Sequence, residues 1–125
     1  MKWPWQAVKK GEWVGFDLDG VLAEYHHWDD GKIGAPIPEM IARVRKFLDA
    51  GIEVRIFTAR VSDKVYPEQV DANVTRIRAF CYANFRRILT ITCEKDQNMI
   101  LLFDDRAIQV IKNEGITLHD QLLTR

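Results

Sequence analysis

The 125-residue sequence has little cysteine, little proline and no excess of charge of either sign. Its two cysteines, Cys81 and Cys93, are too few for a disulfide framework and stand at no metal-knuckle spacing, which predicts a reducing compartment. Lysine plus arginine equals aspartate plus glutamate at 18 each, so no global field draws the chain to nucleic acid or to an anionic membrane. Any preference for polyanions has to be local. No apolar run approaches the length of a membrane span, and the opening stretch from Met1 to Gln6 lacks the apolar core of a secretory signal. Together these absences predict a cytoplasmic protein with no membrane partner. There are no repeats, low-complexity tracts or linkers, which excludes solenoids and multi-domain strings.

What is present is an ordinary globular balance, 47% hydrophobic and 29% charged, in a chain long enough for one core. A single domain over residues 1–125 is expected, with residues 1–12 as an amino-terminal arm in which Trp3 and Trp5 pack. The run Trp13-Val14-Gly15-Phe16 ends in Asp17-Leu18-Asp19-Gly20, the pattern of a buried strand that stops at two carboxylates and turns. Residues 23–35 are polar and aromatic and read as a loop or small hairpin over that strand end. Met40, Ile41, Val44, Phe47 and Leu48 recur at helical spacing behind Pro36 and Pro38, and Gly51 closes the helix.

A second strand, Ile52–Phe57, runs into Thr58-Ala59-Arg60, with its first half expected near the sheet rim and its end deep. A second helix over Pro67–Phe85 carries Val70, Val74, Ile77, Cys81 and Phe85 on one stripe. Ile88–Thr92 reads as an edge strand, and Met99–Phe103 as a core strand ending in Asp104-Asp105. A short helix over Arg106–Asn113, stopped by Gly115, and a last strand at Ile116–Leu118 complete the pattern. Strands and helices in this order predict an α/β fold, a Rossmann-like three-layer sandwich whose central sheet is mainly parallel and covered on both faces.

Asp-Gly is by itself a common turn signal, and an Asp-x-Asp pair occurs by chance. Three further segments change its meaning. If the sheet is parallel, Asp17-x-Asp19, Thr58 and Asp104-Asp105 end strands at one edge, where open α/β sheets bind ligands, with Lys95 in the loop before the last. Two carboxylates about 4 Å apart repel by roughly 4 kcal/mol at an effective dielectric near 20. A hard divalent cation such as magnesium removes that cost and attracts a phosphate. One Asp could then attack phosphorus as nucleophile while the second moves protons. Thr58 and Lys95 would meet the charge that shifts onto the transferring oxygens.

Phe16-Asp17-Leu18-Asp19-Gly20-Val21-Leu22, Ile56-Phe57-Thr58-Ala59-Arg60, Lys95 and Leu102-Phe103-Asp104-Asp105 resemble the four ordered motifs of the haloacid dehalogenase superfamily of magnesium-dependent phosphohydrolases. The resemblance spans about residues 14–111. It implies a central first strand, Asp17 as nucleophile and Asp19 as general acid and base. It also implies magnesium held by the Asp17 carboxylate, the Asp19 carbonyl and an acid of the last motif, Asp105 first and Asp104 second. Lys95 stands closer to Asp104 than is usual for that family, and Lys64 is its substitute. Neither place where the family inserts a cap domain has room for one. In that family an open site of this kind goes with phosphorylated macromolecules, such as nucleic-acid ends or proteins, or with oligomers in which a neighbour supplies the lid. The motif sequences also resemble those of small nucleotidases and of short uncharacterised members of the superfamily.

Other residues admit two readings each. Arg60 and Lys64 could bind a second phosphate or form a solvated surface pair. His26 and His27 could hold a second metal, but adjacent histidines in a polar loop usually point apart. Tyr25 and Trp28 could stack on a base or pack the loop onto the body. The overall expectation is a phosphomonoester hydrolase acting through an aspartyl-phosphate. The alternatives are a catalytically idle domain that binds a phosphorylated partner and a phosphotransferase.

Overall fold

The computed structural model describes residues 8–123, so the expectations for Trp3 and Trp5 lie outside the described residues. Four strands form one all-parallel sheet: β1 (Trp13–Asp17), β2 (Glu53–Phe57), β3 (Thr90–Thr92) and β4 (Met99–Phe103), in the order β3-β2-β1-β4. This is an α/β, Rossmann-like architecture. β1 lies between β2 and β4, and Trp13, Val14 and Phe16 are wholly buried, as an inner strand requires.

Both long helices pack on one face. α1 (Pro38–Asp49) buries Ile41, Val44 and Phe47, and α2 (Val70–Phe85) buries Ile77, Phe80, Cys81 and Phe85, in a single core with Val14, Phe16, Val54 and Ile56. Phe16 stacks on Phe103 at 4.3 Å, and the Phe47 ring meets both edge-on at 6.0 Å, which ties β1 and β4 to α1. Arg45 of α1 donates from Nε and Nη2 to the Asn84 carbonyl of α2, so the two helices lie side by side. Two successive right-handed crossovers moving in the same direction, β1 to β2 and β2 to β3, place both helices on the same side.

Among the described residues, α1 and α2 thus both serve one face of the sheet. On the other face, the short loop between β3 and β4 carries Asp96, which accepts the Trp13 Nε1 hydrogen at 2.8 Å and faces Arg55 at 3.5 Å. Arg55 in turn lies 4.5 Å from the centre of the Trp13 ring. The indole hydrogen bond, followed by the Asn98 N–H, holds the Asp96 carboxyl below its ordinary pKa.

The two faces also account for β2. Its Glu53 and Arg55 were expected to mark a rim and Phe57 a deep end, but burial alternates instead, with Val54 and Ile56 buried and Glu53, Arg55 and Phe57 more open. Other boundaries shift as well. The second helix begins at Val70 behind a short 3-10 turn at Pro67–Gln69, and Asn73 and Phe80 join its buried stripe. β4 is an edge strand whose residues are only half-buried, not the core strand expected.

The predicted helix at Arg106–Asn113 is absent. Ile108 and Val110 are exposed, and the chain forms an antiparallel bridge from Val110 to Thr117 around Asn113 and Gly115, both at positive φ. So few residues with no apolar stripe to bury cannot repay helix nucleation. The expected last strand is that single bridge. α3 (Leu118–Leu123) follows it, started by reciprocal hydrogen bonds between Thr117 and Asp120, and the Thr-x-x-Asp spacing was visible in the sequence. No helix among the described residues is long and apolar enough to cross a membrane.

Candidate functional site

Strand register does most of the assembly. Phe16 pairs with Phe103 and Asp17 with Phe57, so Asp17 and Asp104 leave adjacent strands at the same height, with Thr58 one step beyond β2. Asp17, Asp104 and Asp105 each offer one carboxylate oxygen, and these atoms lie within 4.8 Å of one another. The expected convergence of Asp17 with both acids after β4 is thus present. Among the described residues none of the three takes part in an ion pair.

The electrostatics follow. Burial, a hydrogen bond with Asp105, and the charges of Asp104 and Asp105 push the Asp17 carboxyl up to about 7, against the Leu18 N–H, which donates to Asp17 Oδ1 at 2.9 Å. The turn after β1 makes this crowding possible. The Leu18 carbonyl accepts from Val21, Leu22 and Ala23, and Gly20 sits at φ +86°. A Cβ on Gly20 would stand 2.6 Å from an Asp105 carboxylate oxygen, so only glycine lets β1's turn and the β4 acid approach.

Asp19 has a different environment. Arg60 donates from Nε to Asp19 Oδ2 at 2.7 Å and from Nη2 to Oδ1 at 2.9 Å, a bidentate pair. The same guanidinium donates from Nη1 to the Gly31 carbonyl and from Nη2 to the Lys32 carbonyl, and lies 4.8 Å from the centre of the Trp28 ring. Its own carbonyl accepts from Asn73. Arg60 is therefore buried, and its polar contacts hold Asp19 and the 23–36 flap. This corrects both sequence readings of Arg60, since it is neither a free phosphate clamp nor a surface pair with Lys64. The composition could not show this, because the partners lie 28 to 41 residues away.

Thr58 is buried, and its Oγ1 accepts the Arg60 N–H at 3.1 Å, which leaves the hydroxyl hydrogen free to donate. A cleft of about 850 Å³ opens over these groups, lined by Asp17, Asp19, Thr58, Asp104, Asp105 and by aromatic side chains. Lys95 is exposed in the β3–β4 loop and is not among the residues lining the cleft. Lys64 is no nearer to the role, 88% exposed beside Asp63. The cation that does line the cleft with Arg60 is Arg106, missed in the sequence because it was assigned to a helix; its N–H caps Asp104 at 2.7 Å. His26 and His27 are exposed and belong to no acid cluster among the described residues. Tyr25 and Trp28 both line the cleft.

No family model and no curated protein matches this sequence. Among solved structures, the chain is similar to a conserved protein from Bacteroides thetaiotaomicron, with a TM-score of 0.52, 18% identity and 78% of each chain covered. That likeness shows the α/β fold and no more.

Proposed function

We propose that this protein is a magnesium-dependent phosphomonoester hydrolase that works through an aspartyl-phosphate on Asp17. The observation that carries the reading is the meeting of Asp17, Asp104 and Asp105 at one sheet edge, with no ion pair to any of them among the described residues. A hard divalent cation takes oxygen ligands, and three converging carboxylates, one of them already pushed to about 7 by its neighbours, fit that demand. When bound, magnesium would neutralise these acids and draw a phosphate to them. Asp17, Asp104 and Asp105 would hold it, with the Asp19 carbonyl as the further ligand that the family resemblance implies.

The chain's own groups would act as follows. An Asp17 oxygen forms the new bond to phosphorus as the ester P–O bond breaks, and the leaving oxygen takes a proton from the Asp19 carboxyl. Water then adds to the phosphoryl group, gives its proton to Asp19 and releases Asp17 with inorganic phosphate. Thr58 and Arg106 would donate to the non-bridging oxygens. The free cysteines, Cys81 and Cys93, agree with a cytoplasmic setting.

One observation favours a second reading. Neither Lys95 nor Lys64 lines the cleft, which suits an idle domain that binds a phosphorylated partner. Hydrolysis of nitrophenyl phosphate with magnesium, with chelator and by Asp17→Asn separates the two. The hydrolase reading expects turnover that needs both the metal and Asp17. Unchanged turnover by Asp17→Asn would exclude the mechanism, and phosphate binding without turnover would favour the idle domain.

A further inference from the structure

Four large side chains line the same cleft while standing open to solvent: Tyr25 at 40%, Trp28 at 46%, Val65 at 71% and Tyr66 at 60% exposure. They come from two segments, the flap and the turn between Thr58 and α2, that flank the strand ends. One face of Trp28 packs on Arg60, but the exposed remainder leaves apolar surface in water beside an acid cluster. Among the described residues the Tyr25 and Tyr66 hydroxyls, the Trp28 indole N–H and the Gln69 amide have no hydrogen-bond partner, and all four residues line the cleft. The cavity thus joins a phosphate-seeking end to a wall of rings with spare donors and acceptors, at a volume well above that of a bare phosphate.

We infer that the substrate is a nucleoside monophosphate, its phosphate at Asp17 and Thr58 and its base against Tyr25, Trp28 and Tyr66, with Gln69 available to the base edge. This deepens the hydrolase reading and rests on it for the reaction, though not for binding. A nucleic-acid strand is disfavoured by the same residues. Tracking several phosphates takes a row of free cations, whereas the donors of Arg60 go to Asp19, Gly31 and Lys32, leaving Arg106 as the other cationic wall of the cleft.

The test is calorimetric binding to Asp17→Asn protein with magnesium, using adenosine monophosphate, ribose phosphate and a phosphorylated tetranucleotide, beside wild-type hydrolysis of nitrophenyl phosphate. Stacking on one or two rings should make adenosine monophosphate bind about tenfold to a hundredfold more tightly than ribose phosphate. Tyr66→Ala should remove about tenfold of that preference while weakening ribose phosphate far less. Equal binding of adenosine monophosphate and ribose phosphate would overturn the inference, and so would tighter binding of the tetranucleotide. If nitrophenyl phosphate is hydrolysed without a nucleotide preference, the inference fails alone. If the preference appears in a protein that hydrolyses nothing, the hydrolase reading fails and the nucleotide site stands.

Discussion

Asp17 and Asp19 stand two residues apart in the sequence, yet the protein neutralises one carboxylate and leaves the other among its own kind. Asp19 receives two hydrogen bonds from a buried guanidinium that also fastens the flap. Asp17 is half-buried, faces Asp104 and Asp105, and is pushed up to about 7. A carboxylate whose partner is built into the fold is held in place; one whose neighbours repel it is held in readiness for something from outside. The contrast sets a crowded acid and a paired one two residues apart in one turn of chain; under the proposed function Asp17 is the nucleophile and Asp19, oriented by Arg60 from 41 residues away, carries the proton.

The sharpest way to break this contrast is to remove each charge in turn. As the nucleophile, Asp17→Asn should lower phosphatase turnover by about 10⁴-fold or more in a steady-state assay, with the circular dichroism spectrum retained. Its effect on stability should have the opposite sign. In chelated protein, the folded-state pKa of Asp17, about 7, lies above the ordinary 3.8, so its native proton contributes stability fully present below 3.8 and lost as pH rises towards 7. Thermal melts across that window should fall in the wild type and fall less in Asp17→Asn, and magnesium should restore the wild type at neutral pH. Equal slopes for the two proteins would mean that Asp17 is not crowded by its neighbours.

On the compensated side, Arg60→Met leaves Asp19 and the Gly31 and Lys32 carbonyls without their donor. It should cost about 3 kcal/mol in urea unfolding. A loss below the scatter of the measurement would show that the pair is replaceable by water and that the flap is held otherwise.

Between the two regions stands Gly20, where alanine meets both a positive φ and the Asp105 carboxylate. Gly20→Ala should cost about 1–2 kcal/mol and weaken magnesium binding measured by calorimetry. Unaltered metal affinity would separate Asp105 from the cation site. The smallest effect is expected from Lys95→Ala, since the side chain is exposed outside the cleft: turnover should change by less than about twofold, as for an ordinary surface site. A large loss would mean that the β3–β4 loop swings Lys95 into the site.

Much of the fold was legible from local pattern. The helix stripe through Ile41, Val44 and Phe47, the glycine stop at Gly51 and the edge character of Thr90–Thr92 follow from side-chain periodicity and turn chemistry alone. What misled was any inference that needed a neighbour. Glu53 and Arg55 looked like a rim because the second face of the sheet was assumed to be covered by a helix. Arg106–Asn113 looked helical because nothing in the sequence says that Ile108 and Val110 face solvent. In the site, Asp17, Thr58, Asp104 and Asp105 were readable as strand ends, whereas Arg106, Tyr66 and Gln69 sit on turns with no pattern of their own.

The amino-acid order by itself determined where apolar runs stop and carboxylates begin, because a five-residue strand, a positive-φ glycine and an acid after it are matters of local sterics and burial. Only the tertiary structure decided which of those acids would find a cation within the protein. That choice depends on parallel register, which sets Asp17 beside Asp104, and on the packing that brings Arg60 across 41 residues to Asp19. Coulomb energies are fixed by distances in space, and the chain's own spacing does not contain them.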